Sequence, residues 1–419
     1  MLLCLAYCAV YYVKVNVADL LPSITDSPCD FTHYYRVSRC VIAAQSPYTD
    51  PEHIYPPTLA FLLTPVALTD YMTARWLWFW GSQAFLLLAA FLTWRALGRG
   101  PAAACSVACV WALTGPAAEN FVLGQLGPLL VLLLVLVYWR AAATQGAAVA
   151  AGFSLKLLPG VLAIVPLLRR DWRAVAALIT VTIVLVLVPA AVIAHWKTGP
   201  AFPGHADYWM GSPALLNWSL PAIALRAADP PVSPARVPVN WESGNLTRRL
   251  HLPRGQRWLS AGIGAGLLLA GLAALLAVSR GKLNAAQAPW ASAALISLSV
   301  AASPVSWSHY QILQYPGLAL LLCSAVKRRR WLLGACTVML GALLYRIPAE
   351  VLFDYHARYA GWSAASPATL YIGTSITPVA ALVLFGVFLR QLTAEAQPPR
   401  RPQGSGSQSP SSTAAGFPG

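Results

Sequence analysis

Residues 30–65 read DFTHYYRVSRCVIAAQSPYTDPEHIYPPTLAFLLTP and fall between the first two apolar segments of the chain. That position puts them at one surface of a membrane. They bring together Asp30, Tyr34, Tyr35, Arg36, Arg39 and a Tyr55-Pro56-Pro57 element. A carboxylate near the end of a span accepts a proton from an attacking hydroxyl when the two lie within hydrogen-bond reach. Cations and aromatic faces beside it suit a sugar delivered on a lipid phosphate. Helical spacing would place Asp30, Tyr34 and Tyr35 on one face. The same aspartate also reads as the N-cap of a short amphipathic helix over 31–44, and spacing leaves both readings open. Asp19 and Asp26 are weaker rivals.

Further polar elements interrupt the apolar sequence. SPVSWSHY (303–310) offers His309 as a proton donor, a phosphate ligand or a partner for Asp30, with Trp307 and Tyr310 as flat surfaces. The alternative is an interfacial aromatic belt. ENFVLGQLGPLL (119–130) holds Asn120 and Gln125, either substrate contacts or bonds between helices. SLKLLPG (154–160) sets Lys156 among apolar residues, where it either serves function or snorkels to an interface. LLNWSLPAIALR (215–226) supplies Asn217, Ser219 and Arg226 for sugar hydroxyls and a phosphate, since arginine suits bidentate phosphate contacts. A solvated loop arginine is the equal alternative.

The elements that must position these groups are membrane helices. The chain has 419 residues, 58% of them hydrophobic and 10% charged, against about 25% charged in a soluble domain. Apolar runs of roughly 15 to 25 residues follow one another, and a spanning helix needs ~20. Backbone groups in lipid must be satisfied within each segment. The expected fold is therefore all-α, a polytopic transmembrane bundle of about 10–12 membrane helices over residues 1–395. Residues 1–18 lack a basic start and a small-residue cleavage site, and read as a first span. Residues 396–419 are rich in Pro, Gly and Ser and read as a disordered cytoplasmic tail.

The net charge of +15 does not mark a nucleic-acid binder. Arg95, Arg99, Arg140, RRDW (169–172), RGK (280–282), KRRR (327–330) and Arg390 flank apolar runs, the pattern of cytoplasmic loops. Residues 19–55, 196–257, 303–310 and 347–367 are then the outer loops. Two runs are ambiguous. If 56–70 and 145–168 both cross, Arg95, Arg99 and Arg140 fall outside; if neither crosses, they fall inside. Both choices leave 19–55 and 303–310 on the same outer side. The eight cysteines show no metal spacing; most lie in apolar runs, while Cys29 and Cys40 flank the Asp30 segment and are candidates for a disulfide. P-loop and GxGxxG motifs are absent, and no cytosolic nucleotide-sugar domain is present, so a lipid-linked donor fits better than a nucleotide sugar.

Taken together, these elements resemble glycosyltransferase family 87. These are polytopic C-type (GT-C) enzymes that include polyprenyl-phosphate-mannose-dependent mannosyltransferases. The resemblance runs from about residue 25 to about residue 390. It rests on Asp30, Tyr34 and Tyr35, then QSPY (45–48) with Gln45 in place of a usual Gly, then Tyr55-Pro56-Pro57. Gly124-Gln125, Ala151-Gly152 with Lys156 and Pro159, Asn217 and Ser219 with Arg226, and Ser303, Pro304, Ser306, Trp307 and His309 follow in order.

The resemblance implies an inverting transfer of mannose from a polyprenyl-phosphate donor to a hydroxyl of a glycolipid or glycan, on the outer face of the cell membrane. Asp30 would be the general base, and His309 would sit near the reacting centre. Polyprenyl phosphate leaves already ionised, so no metal or other cofactor is expected. Arg36, Arg226 and Lys156 are candidates to stabilise its charge. The competing classes are a transporter or flippase and an assembly protein. A transporter needs ionisable groups near the midplane and often carries inverted repeats. Here the polar groups gather at one surface, and no repeat is seen.

Overall fold

The structure is a computed structural model that describes residues 2–26, 29–50, 53–113, 115–140, 142–202, 219–228, 254–303, 306, 308–344 and 367–396. Among these residues all regular structure is helical, as the composition demands. Helix α1 (Leu2–Val13) runs into a π turn at Lys14–Ala18, and α2 (Leu21–Asp26) leads to α3 (Asp30–Ile42). The 56–70 run does not make a span. It folds as α4 (Thr58–Leu62) and α5 (Thr64–Ala67), because Pro56 and Pro57 precede it and Pro65 interrupts it, each removing a backbone donor.

Helix α6 (Tyr71–Ala96) is 26 residues long, about 39 Å. Its N-cap is Asp70, whose carboxylate accepts from the Thr73 amide at 3.0 Å. After it come α7 (Pro101–Trp111) and α8 (Gly115–Leu123), bent by 55°, then α9 (Gly127–Trp139). The 145–168 run is a hairpin rather than a crossing. Helix α10 (Ala142–Leu155) rises, the chain turns at Lys156 and Pro159 through a 3-10 segment, Leu158–Ala163, and α11 (Ile164–Arg169) returns. Its base is tied shut: Asp171 Oδ2 accepts from the Ala142 amide at 3.0 Å and Arg169 donates to Gln145 Oε1 at 3.1 Å.

Helices α12 (Trp172–Thr182) and α13 (Val188–Trp196) are joined by a π turn, Ile183–Leu187. Later come α14 (Leu220–Ala228), α15 (Arg254–Ser279), α16 (Ala288–Ala302), a 3-10 segment Ser308–Gln314, α17 (Tyr315–Lys327), α18 (Trp331–Leu344) and α19 (Pro367–Ala396). Every residue of α16 is buried, so it is the spine of the bundle. Trp172–Trp196 and Trp258–Ser279 bury only 17% of their most apolar windows and form the lipid-facing rim.

Four described helices are long and apolar enough to cross a membrane: Tyr71–Ala96, Trp172–Trp196, Trp258–Ser279 and Ser375–Glu395, with α7–α8 a fifth if the bent pair is one span. These spans make the fold the all-α polytopic bundle expected from sequence. Gly127–Trp139, Leu158–Arg169, Ala288–Ala302 and Trp331–Leu344 are apolar but shorter, since breaks at Gly, Pro and polar residues divide the runs.

Contacts gather the basic clusters at one end of the bundle. Lys327 donates to the Leu97 carbonyl at 2.6 Å, Arg328 pairs with Glu395, and the Leu283 amide bonds the Leu168 carbonyl at 3.1 Å. Arg95, Arg99 and Arg140 therefore share an end with the later basic loops, as in the reading where neither ambiguous run crosses. The 203–218 and 229–253 parts of the long loop, residues 347–366 and the expected tail lie outside the described residues.

Candidate active site

The opposite end of the bundle is built from helix breaks. The start of α3, the turn between α8 and α9, the Lys156 tip of the hairpin and the 3-10 segment Ser308–Gln314 meet there. Non-helical backbone at membrane depth is tolerated only where protein or a cavity surrounds it. Convergence of breaks is thus a sign of a site.

Asp30 is the first residue of α3 and is half-buried. It is not the N-cap: that position is Cys29, whose side chain makes no capping bond. Its Oδ2 instead accepts a hydrogen bond from Gln125 Nε2. The other end of the Gln125 amide is employed too: its Oε1 accepts from Tyr34 OH at 3.1 Å and from Lys156 Nζ at 3.3 Å. One side chain thus joins three elements. Gln125 owes its place to Gly124, whose φ of +66° favours glycine. A Cβ there would lie 2.5 Å from Phe31 Cβ, and the Gly124 carbonyl accepts from Trp78 Nε1 at 2.9 Å.

Tyr34 and Tyr55 complete one wall. Their hydroxyls are 3.4 Å apart and their rings meet edge-on at 5.6 Å. Lys156 is 6% exposed, so it does not snorkel. Its ammonium lies 3.9 Å from the centre of the Tyr310 ring and 5.7 Å from that of Tyr55, within cation–π range.

His309 stands beyond Tyr310, with ring centroids 4.8 Å apart. Its Nδ1 is 3.8 Å from Glu119 Oε1. Burial pushes the imidazole below its ordinary pKa, and Glu119 and Asp30 oppose that. Asn120 holds the same residue by its backbone, donating to the His309 carbonyl at 2.8 Å. Gly127, Leu130, Lys156, Leu158, His309, Tyr310 and Leu313 enclose a gap of about 10 Å³, close to one water. A sugar does not fit it.

The sequence expectations fare unevenly. Asp30, Tyr34, Tyr55, Gln125, Lys156 and His309 come together. Tyr35 does not: it donates to the Thr69 carbonyl at 2.9 Å and packs edge-on against Tyr71. Five residues on from Asp30 is about 140° round the helix, so the shared face holds for Tyr34 alone. Arg36 sits at an exposed rim, 3.4 Å from Asp50 and 2.6 Å from His33. Cys29 and Cys40, the candidates for a disulfide, are not bridged. Eleven residues of one helix separate them, about 16 Å, beyond the reach of a disulfide. Asn217, Trp307 and the Arg226 side chain lie outside the described residues, although α14 carries Arg226 and is capped by Ser219.

Sequence reasoning missed two residues. Glu119 adjoins Asn120 within a quoted motif and faces His309. Arg75 is 2% exposed and grips the Ile24 and Val122 carbonyls at 3.0 and 2.6 Å, tying α2 to α8 beneath Asp30. A lone cation in an apolar run signals such a role.

Residues 53–226 match the family model of glycosyltransferase family 87. The chain carries a family 87 segment. Two curated relatives, each named Alpha-(1->3)-arabinofuranosyltransferase, come from two strains of Mycobacterium tuberculosis. Each is 30% identical over 179 residues, covering 39% of this chain and 41% of the relative. The chain thus spans about two fifths of the length of these relatives. The family 87 segment contains Tyr55, Gln125 and Lys156, whereas Asp30 and His309 lie outside it. The matched region is therefore narrower than the resemblance read from residue 25 to 390.

Proposed function

We propose that this protein is a membrane glycosyltransferase that moves a sugar from a polyprenyl-phosphate donor to an acceptor hydroxyl, with inversion, on the extracytoplasmic face of the cell membrane. The observation that carries the reading is the Asp30–Gln125–Lys156 chain of hydrogen bonds, which sets a carboxylate beside a buried cation. Gln125 occupies Asp30 Oδ2, which leaves Oδ1 to receive the acceptor proton. As that proton moves, the acceptor oxygen bonds to the sugar C1 and the bond from C1 to the phosphate oxygen breaks. Polyprenyl phosphate departs as an anion. Lys156, rather than Arg36, would stabilise it, and His309 with Glu119 would orient the substrate.

Helices α9 and α10 run from the site to the basic end in 13 and 14 residues, about 20 Å each. Family resemblance favours mannose as the sugar. The names of the two relatives favour a second reading, a pentofuranose such as arabinofuranose. The acceptor is a glycolipid or glycan in either case.

Purified protein in lipid vesicles, given radiolabelled polyprenyl-phosphate mannose or arabinose and a membrane glycolipid extract, tests both readings. Transfer from one donor that Asp30→Asn reduces at least about 100-fold supports the assignment. Transfer that Asp30→Asn leaves untouched removes the base. No transfer from either donor favours a transporter or flippase, which the same vesicles detect as movement of the labelled lipid between leaflets.

A further inference from the structure

The end of the bundle away from Asp30 holds a second pocket, of about 180 Å³, lined by Leu92, Arg95, Arg99, Leu136, Trp139 and Arg140 among others. It lies between the C-terminal ends of α6 and α9. Twenty residues of α6 separate Arg75, beneath the candidate active site, from Arg95; that is about 30 Å, one hydrocarbon thickness. None of the lining residues is acidic.

Three arginines at two helix ends have an ordinary explanation: they satisfy terminal carbonyls and the helix dipole. Here other groups already serve several of those carbonyls. The Arg99 amide bonds the Trp94 carbonyl, the Gly98 amide bonds that of Arg95, and the Arg140 amide bonds that of Leu136. Lys327 takes the Leu97 carbonyl. The Arg95 guanidinium stands 5.7 Å over the Phe91 ring, and those of Arg99 and Arg140 have no hydrogen-bond or carboxylate partner among the described residues. The chain turns sharply to bring them together, since Arg99 adopts a φ of +58°, a conformation rare for a residue with a side chain.

We propose that this pocket binds a phosphate group, with the arginine forks on its oxygens and Leu92, Leu136 and Trp139 against whatever the phosphate carries. A phospholipid headgroup and free inorganic phosphate share this chemistry. The apolar walls and an interfacial tryptophan favour the lipid, because basic pockets between membrane helices on the positive side take anionic headgroups. The site is independent of the transfer reaction and lies on the other face.

Native mass spectrometry of the full chain, released from nanodiscs of phosphatidylcholine with or without phosphatidylglycerol, tests this. Arg95→Gln/Arg99→Gln/Arg140→Gln is compared with Arg280→Gln/Arg329→Gln/Arg330→Gln, which removes equal charge from the same face. The expected result is a retained phosphatidylglycerol adduct that the pocket variant loses by about tenfold or more and the control keeps. A second arm adds millimolar inorganic phosphate to protein in phosphatidylcholine alone. A rise in melting temperature that only the pocket variant abolishes assigns free phosphate instead. Equal loss in both variants, or no retained phosphate group in either arm, overturns the site. Melting in pure phosphatidylcholine shows whether the variants fold; single Arg140→Gln serves if the triple does not.

Discussion

Gln125 is the residue on which the candidate site turns, because its one amide meets Asp30, Tyr34 and Lys156. Gln125→Leu removes the bonds to Asp30 and Lys156, and each buried group left unpaired costs roughly 1–3 kcal/mol. A lowered melting temperature together with lost transfer is the expected result. Gln125→Glu acts differently. A second carboxylate there replaces the N–H that holds Asp30 with a like charge. Transfer should fall about tenfold or more, because Asp30 is no longer held in place; an unchanged rate would detach Asp30 from the proton transfer. Glu119→Gln keeps the shape beside His309 but removes the charge. It should lower kcat with KM little changed and shift the pH–rate profile, whereas Glu119→Asp should restore part of the rate. Glu119 was invisible in the sequence because nothing local distinguishes a site carboxylate from any other; the 189 residues between Asn120 and its bond to His309 close only in three dimensions.

At the scale of elements, the hairpin 142–171 and the α8–α9 turn depend on missing side chains. A Cβ on Gly146 would clash with the Ala174 carbonyl, and one on Gly127 with the Asn120 amide. Gly146→Ala should separate α10 from α12 and destabilise the fold by about 1–3 kcal/mol, the usual cost of overpacking. Gly127→Ala should cost as much and also lower transfer, because Asn120 would be pushed off the His309 carbonyl. Denaturation in detergent and initial rates distinguish these outcomes. The loop before α4 carries a pH response of its own. His53 is buried against Tyr48 and Tyr55, and burial lowers its pKa to about 4. The unfolded chain therefore binds the extra proton first, so His53 stabilises the fold fully above pH ~6.5 and loses that contribution as pH falls toward 4. Melting temperature should drop over that interval, and His53→Phe should flatten the drop. The period of the sequence predicted α3 nearly to its ends, 31–44 against Asp30–Ile42, yet it misjudged Tyr35, which the turn of the helix carries away from Asp30.

For the whole molecule, the expected arrangement has polar helix breaks at one end and cations at the other. Cysteines introduced at Gln45 and Arg329 should label with a membrane-impermeant reagent from opposite sides of an intact membrane. Labelling of both from one side would contradict the outward-facing site. The contacts of Lys327 with Leu97 and of Leu283 with Leu168 decide a matter that hydropathy left open, because a run of apolar residues has the same composition whether it crosses or turns back.

Composition and the long apolar runs marked the helical membrane character: runs of ~20 residues suit spanning helices, which satisfy their backbone groups within each segment. The ordered motifs marked Asp30, Gln125, Lys156 and His309 as residues of interest, since polar groups in apolar surroundings are costly and need a reason. Tertiary structure alone decided which of these groups meet, that the amide of Gln125 links them, and that 145–168 turns back instead of crossing. The physical reason is that a hydrogen bond acts over about 3 Å, whereas its partners here lie as far as 189 residues apart in the site and 230 at the basic end. Local pattern carries no record of that closure.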